Sequence, residues 1–459
     1  MPNVEEIINE KKIWRILKET KKDYSKKIVG KILKKALKKK GLNLKEVGHL
    51  LHTENSELIE QMFATSGRIK NEIYGERLVF FAPLYVSNFC VNDCDYCGFH
   101  VRNKKSRKKL SLKEVQKQVK ILEDMGHKRL LLEFGEHPIE NSIDYVADVI
   151  KTIYKTKSGK GEIRRVNVNI AATTVENYRK LKAAGIGTYQ LFQETYHRET
   201  YKKLHHGPKA DYERQLFACD RALEAGIEDV GLGVLYGLSD YKFDTLALVA
   251  HSRYLDRKYN IGPHTLSVPR FQPASTVNMD SSHKVSESQL LKVISILRMA
   301  VPYAGMIIST REKSEIRAKA FQIGISQTSA GSRTNPGGYG KKGTLEQFSL
   351  QDHRNVAEVL ESILKQGLLP SFCTACYRLG RTGETVMKLL KTGKIQNLCR
   401  PNAILTFKEY LEDYASKQVK KIGKEIINQY LKKILNLDMK QETKSRLIRI
   451  EKGERDIYF

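Results

Sequence analysis

No apolar run in these 459 residues approaches the length needed to cross a bilayer, and the first residues are charged and helical in pattern where a signal segment would be hydrophobic. The chain is therefore expected to be soluble and cytoplasmic, with no membrane partner. Cysteine is scarce: there are seven, six of them in two sets, which suits a reducing compartment and metal binding better than a disulfide framework. The single tryptophan, Trp14, reads as a packing anchor. Acidic residues are few, 52 against 80 basic ones, leaving a formal net charge of +28. A basic surface attracts polyanions, but no basic stretch is interleaved with aromatic residues for stacking bases. Much of the excess is lysine spread along helix faces, as in Lys31 to Lys40 and Lys417 to Lys433. Nucleic acid is not expected as the main partner.

What the chain does carry is a short loop, Cys90-Val-Asn-Asp-Cys94-Asp-Tyr-Cys97, whose three thiolates can converge on one inorganic core. A structural zinc site or an electron-transfer 4Fe-4S cluster takes four ligands, so three leave a metal position open to a non-protein group. The apolar run 79–86 before the loop reads as a buried strand, which puts the loop at a strand's carboxyl end. A second set, Cys373-Thr-Ala-Cys376 and, after 22 intervening residues, Cys399, again offers three thiolates. It lacks the strand-to-helix context of a redox dithiol pair. Zinc completed by a histidine or water stays open there beside an iron–sulfur cluster.

From residue 79 onward, strands and amphipathic helices alternate. Strands are expected at 79–86, 129–134, 164–170, 187–193, 229–236, 264–269, 304–309 and 324–329. Helices follow in turn at 112–125, 142–155, 175–184, 211–225, 243–257, 286–300, 313–322 and 354–366. Eight such units predict an α/β fold, a complete (β/α)8 TIM-type barrel working at its strand carboxyl ends. The expected organisation is a helical cap over 1–78, the barrel over 79–366 and a helical extension with the second cysteine set over 367–459. Val115, Val119 and Leu122 share one helix face, as burial on a barrel requires. Cys219 shares one with Tyr212, Leu216 and Leu223 and is expected in the core. The basic loop 98–109 lies beside the first cysteines, covering the site or simply solvated. The run 332–340, rich in turn formers, is expected to be a lid or binding loop; its glycines are a weak phosphate motif.

Polar residues cluster at the strand ends. Gly135 permits close backbone approach, and Glu136 beside it can accept hydrogen bonds from an ammonium group. Gln193 and Glu194 close the fourth strand and are candidates for binding ribose or a methionyl group. Asn167 and Asn169 alternate with valines, so their amides point one way, and Asn169 is a further cofactor candidate. Arg214 can pair with a cofactor carboxylate, and Arg311, supported by Ser309, can clamp an amino-acid carboxylate through two parallel hydrogen bonds. His264, at the start of the sixth strand, belongs to the opposite mouth, where a histidine is structural or an iron ligand.

Together, Cys-x3-Cys-x2-Cys, Gly135-Glu136, Gln193-Glu-Thr-Tyr-His197, Gly262-Pro-His264-Thr, Ser309-Thr-Arg-Glu312 and Cys373-x2-Cys376-x22-Cys399 resemble the FeFe-hydrogenase maturation radical S-adenosylmethionine (SAM) tyrosine lyases, through to the terminal 453–459. The resemblance implies a radical SAM barrel with two 4Fe-4S clusters, the second carrying an additional iron linked through a free cysteine. Cys90, Cys94 and Cys97, with Tyr96 in the signature, would hold the first cluster and Cys373, Cys376 and Cys399 the second. Gly135-Glu136 would bind the SAM amine, although Phe134 stands where relatives often have a small hydroxyl residue. An electron reaching the first cluster would cleave SAM; the radical formed would take hydrogen from the amino group of L-tyrosine held by Arg311, giving p-cresol and dehydroglycine. Dehydroglycine would become carbon monoxide and cyanide at the second cluster, with His264 the candidate ligand of the extra iron. Implied partners are a low-potential donor of ferredoxin or flavodoxin type and other hydrogenase maturases. The competing readings are a 2-iminoacetate synthase-type tyrosine lyase, a nucleic-acid-modifying radical SAM enzyme and a non-catalytic iron–sulfur carrier or scaffold.

Overall fold

The computed structural model describes residues 3–22, 25–340 and 345–459. Eight parallel strands form the barrel: β1 (Arg77–Ser87), β2 (Arg129–Phe134), β3 (Arg165–Asn169), β4 (Tyr189–Glu194), β5 (Val230–Val234), β6 (Thr265–Ser267), β7 (Gly305–Ile308) and β8 (Gln327–Ser329). Each pairs with its sequence neighbours, and β8 closes on β1 through Val79↔Gln327, Phe80↔Thr328 and Phe81↔Ser329. β1 reads as an almost unbroken apolar run because both of its faces are covered. Leu78, Phe80, Ala82, Leu84 and Val86 pack in the main core, whereas Phe81 belongs with Leu131 and Ile307 to a separate small cluster. The period of two thus sends alternate residues toward the helices and into the barrel.

The expected units are all present, and local chemistry explains their ends. Ser111 and Glu114 form a capping box on the helix Leu112–Asp124, and Ser142, Thr174 and Asp240 cap three later helices. The helix expected over 211–225 is broken into Tyr212–Leu216 and Ala218–Glu224 at Phe217, where the Arg221 guanidinium satisfies the freed carbonyl of Arg214. Cys219 and Leu216 remain buried on it. Helix Arg198–Leu204, a short hairpin at 157–158 and 161–162, and a ninth strand, β9 (Leu369–Ser371), were not marked by periodicity. β9 runs parallel to the start of β1, pairing Arg77↔Leu369 to Val79↔Ser371.

Helices Val4–Ile7, Glu10–Lys21, Leu44–His52 and Ser56–Tyr74 pack against the barrel helices Tyr241–Tyr259, Glu287–Ala300 and Ser314–Ile323, and Lys26–Ala36 packs on Leu44–His52 and Ser56–Tyr74. Trp14 lies 4.9 Å from the Phe243 ring but stays 40% exposed, so it anchors through one face only. After β9, the helix Gln396–Asp413 packs on that strand and carries Lys417–Lys432 and Leu437–Glu451.

A buried ion pair joins the barrel to these last helices. Arg164 grips Glu409 with two bonds of 3.1 and 2.6 Å, and Lys128 Nζ lies 3.7 Å away, all three side chains no more than 4% exposed. Removing Glu409 takes the central carboxylate from this group, leaving buried Lys128 without its ionic partner and Arg164 with only Glu162 and Asp456, at 3.0 and 3.1 Å. Glu409→Ala is expected to lose about 3–5 kcal/mol of stability, read as a lowered thermal midpoint; an unchanged midpoint would show that the pair does not join the two regions.

Candidate functional site

The first cysteine loop leaves β1 at Ser87 and is held from three sides. Asn88 exchanges bonds with Lys108, and the Arg107 guanidinium donates to the carbonyls of Asn88, Phe99 and His100 at 2.6–2.8 Å. The basic loop 98–109 is thereby a brace for the cysteines. Val91 N–H donates to the Glu136 carbonyl, Asp93 N–H to His206 and Asp95 N–H to Leu204, so the loop's amides are satisfied by neighbouring strand-end loops. Gly135 is required here: a Cβ on it would lie 2.4 Å from the Phe89 oxygen and 3.0 Å from Cys90 Cβ.

Cys90, Cys94 and Cys97 line one cavity with Tyr96, Gly135, Glu136, Asn169, Glu194, Ser309 and Arg311. Glu136 is fixed between Asn92 Nδ2 at 2.7 Å and Arg214 at 2.6 Å. Arg214 stands behind Glu136, donating also to the Ala172 carbonyl, and does not line the cavity. Gln193 does not line it either; a register shift between Phe192 and Glu194 gives the strand an extra residue there. Glu194 takes a left-handed φ of 67°, unusual for a side chain of its size, and its carboxylate is engaged 2.8 Å from Lys209 Nζ. Tyr96 is tied through its hydroxyl to His205 Nε2 at 2.8 Å.

Arg311 differs from these. Its guanidinium carbon lies 3.2 Å from the centre of the Phe348 ring, and among the described residues no acceptor takes a hydrogen bond from it. The Ser309 hydroxyl accepts the Arg311 backbone N–H at 3.3 Å. Loop 332–340 contributes Ser332 and Thr334 to the wall. Sequence reading missed Lys209, Glu133, Tyr85, Gln347 and Phe348, none of which sits in a recognisable motif.

A second cavity at the opposite mouth is lined by Cys373, Cys376, Cys399, His264, Arg77, Arg129, Tyr377 and Arg381. Arg77, the first residue of β1, donates to Cys399 Sγ at 3.0 Å, and Arg129 donates to the Cys373 carbonyl at 2.9 Å. Arg165 lies over the Tyr377 ring. His264 Nδ1 is 3.6 Å from Asp229 Oδ1, and burial lowers the imidazole's pKa.

Burial raises the pKa of Cys94, takes Cys97 up to about 11 and Cys376 up to about 12, and the neighbouring thiols push these three further up. Three adjacent thiolates in so dry a place need a cationic core, and soft thiolate donors suit iron–sulfur chemistry. Among the described residues no three His, Cys, Asp or Glu side chains gather on a single-ion point. The fit to clusters rests on this donor chemistry and on the cavities the thiols surround.

Residues 84–250 match the Radical SAM superfamily model and 267–369 the Biotin and Thiamin Synthesis associated domain. The chain is 32% identical to 2-iminoacetate synthase of Salmonella typhimurium (strain LT2), over 77% of its own length and 93% of the relative's. A crystal structure of HydG, a maturase of the FeFe-hydrogenase, aligns with a TM-score of 0.96 at 54% identity, covering 99% of this chain and 100% of the other. The FeFe-hydrogenase maturase HydG from Carboxydothermus hydrogenoformans aligns with a TM-score of 0.86 at 39% identity, covering 97% and 100%.

Gly135→Ala is expected to push the first cysteine loop away, leaving about four fewer iron atoms per chain after anaerobic reconstitution. An iron content equal to the parent's would contradict the close apposition of β2 and the loop.

Proposed function

The chain belongs to the radical SAM maturases of the FeFe-hydrogenase, and on that premise we propose that it cleaves the Cα–Cβ bond of L-tyrosine to p-cresol and dehydroglycine at one mouth of its barrel, and turns dehydroglycine into carbon monoxide and cyanide for the H-cluster at the other. Cys90, Cys94 and Cys97 would hold a 4Fe-4S cluster, which would supply the electron for reductive cleavage of SAM. Cys373, Cys376 and Cys399 would hold a second cluster, with His264 beside them available to an additional iron that a free cysteine would also hold, and this centre would supply the metal chemistry of the diatomic products.

The protein's own residues bind, orient and enclose. Glu136, already a two-sided acceptor, suits the SAM ammonium, with Gly135 leaving room for it. Asn169 and Glu194 border the same space, and Arg214 acts on it through Glu136. Gln193, turned out of the lining by the strand irregularity, contributes to the placement of Glu194. Arg311, desolvated and without an acceptor among the described residues, suits the tyrosine carboxylate, with Ser309 holding its backbone. Tyr96 and Phe348 are walls that keep water from a reactive radical. Between the mouths, the barrel interior carries Asn167, Gln190, Thr265 and Gln327, polar where a closed core would be branched aliphatic, which suits passage of a small polar intermediate. The electron donor, of ferredoxin or flavodoxin type, and the other maturases are partners this reading requires.

The observation that carries the proposal is the second thiol set, gathered with His264 at the far end of the same barrel from the first. It favours the maturase reaction over 2-iminoacetate formation alone. Cys376→Ala is expected to make p-cresol at near the parent rate while releasing no carbon monoxide, measured together in one anaerobic assay. Carbon monoxide at the parent rate would refute the division of labour, and absence of p-cresol from the parent would reduce the chain to an iron–sulfur carrier.

A further inference from the structure

Three carboxylates line the first cavity, Glu133, Glu136 and Glu194, and two basic groups, Lys209 and Arg311. Glu136 is paired with Arg214 and Glu194 with Lys209. That leaves one acid and one base with no close salt bridge among the described residues, Glu133 and Arg311, which feel each other only at longer range across the same space. Glu133 is the penultimate residue of β2, in register with Tyr85 of β1 and Asn169 of β3. Two residues earlier on the same face, Leu131 joins Phe81 and Ile307 in the small apolar cluster inside the barrel. Glu133 therefore sits just above an apolar floor, steadied by the Asn169 side chain, with its carboxyl directed to the cavity.

A separated, unpaired carboxylate and guanidinium in one dry cavity form a receptor for a zwitterion, whose carboxylate goes to the base and whose ammonium goes to the acid. Resting on the tyrosine reading above, we infer that Glu133 is a catalytic residue that receives the substrate's α-ammonium group and accepts its proton before the hydrogen atom is taken. The ammonium N–H bond breaks heterolytically: the proton passes to a Glu133 carboxylate oxygen and the electron pair stays on nitrogen. An N–H bond of the neutral amine then breaks homolytically, its hydrogen atom joining C5′ of the 5′-deoxyadenosyl radical to give 5′-deoxyadenosine and an aminyl radical. Without the first step the radical would have to draw hydrogen from a cationic nitrogen, which raises the cost of the transfer.

The surroundings suit such an exchange. Burial pushes the Glu133 carboxyl up to about 8, Arg311 and the Asn169 bond pull it back, and Glu194 pushes it further up. Tyr85 is the other titratable group in its row, bonded at 2.7 Å to Gln347. A carboxyl poised near neutrality both releases and accepts a proton readily.

The test uses reconstituted chain with SAM, comparing the parent with Glu133→Gln and Glu133→Asp. Glu133→Gln is expected to cut p-cresol formation at least about a hundred-fold and to remove the rise in rate with pH that deprotonation of Glu133 gives the parent. By equilibrium dialysis without reductant, it is expected to weaken tyrosine about ten-fold or more yet leave 3-(4-hydroxyphenyl)propanoate, which lacks the amine, within about threefold. Glu133→Asp keeps the preference for tyrosine and slows turnover; it carries the test should the Gln variant fail to fold. Equal weakening of both ligands, p-cresol within about threefold of the parent, or loss of the preference in Glu133→Asp would each overturn the inference. A parent that makes no p-cresol would overturn the tyrosine reading itself, and the inference with it.

Discussion

β1 is the element on which both ends of the molecule depend. Its eleven residues, Arg77 to Ser87, run the full height of the barrel, about 33 Å at the usual rise of an extended chain. At its carboxyl end it delivers the loop with Cys90, Cys94 and Cys97; at its amino end Arg77 reaches Cys399. The strand carries ladders to β2, β8 and β9, and it holds all three only because its middle is continuously apolar and buried on both faces. Closing the barrel and fixing the distance between the two thiol sets are therefore one event.

The two mouths solve the burial of thiols differently. At the lower mouth, near the strand amino ends, Arg77 and Arg129 from two barrel strands and Arg381 from the cysteine segment line the site, so a negatively charged assembly would be met by preset positive charge. At the upper one the charges are nearly all spoken for: Glu136 by Arg214 and Asn92, Glu194 by Lys209. What is left over, Glu133 and Arg311, is what can select a ligand. A cavity whose fixed charges cancel except for one pair recognises a small zwitterion by geometry as well as by charge.

Much of this was legible in the chain. The alternation of apolar strands and amphipathic helices placed all eight barrel units, because each element follows a short-range period that survives folding. The cysteine spacings were legible since ligands to one core must be close in sequence or brought close by a loop. Residues that act through distant partners were not. Lys209 and Glu133 sit in no motif, and their meaning comes from Glu194 and Arg311, which the barrel brings to them. Arg77 lay at the unmarked start of a strand, and β9 has only three residues and no period of its own. Gln193 was grouped with Glu194 only because both are polar at one strand end; neighbouring strand residues point to opposite faces, and the irregularity in β4 leaves Glu194 in the lining and Gln193 out of it.

The central claim is that one barrel holds two distinct iron–sulfur centres, of which only the upper one meets SAM. Electron paramagnetic resonance of the anaerobically reconstituted, reduced chain, with and without SAM, tests it most directly. Two cluster signals are expected, with SAM altering one of them, and that one missing when Cys94 is replaced by alanine. A single signal, or two signals that SAM moves alike, would contradict the account.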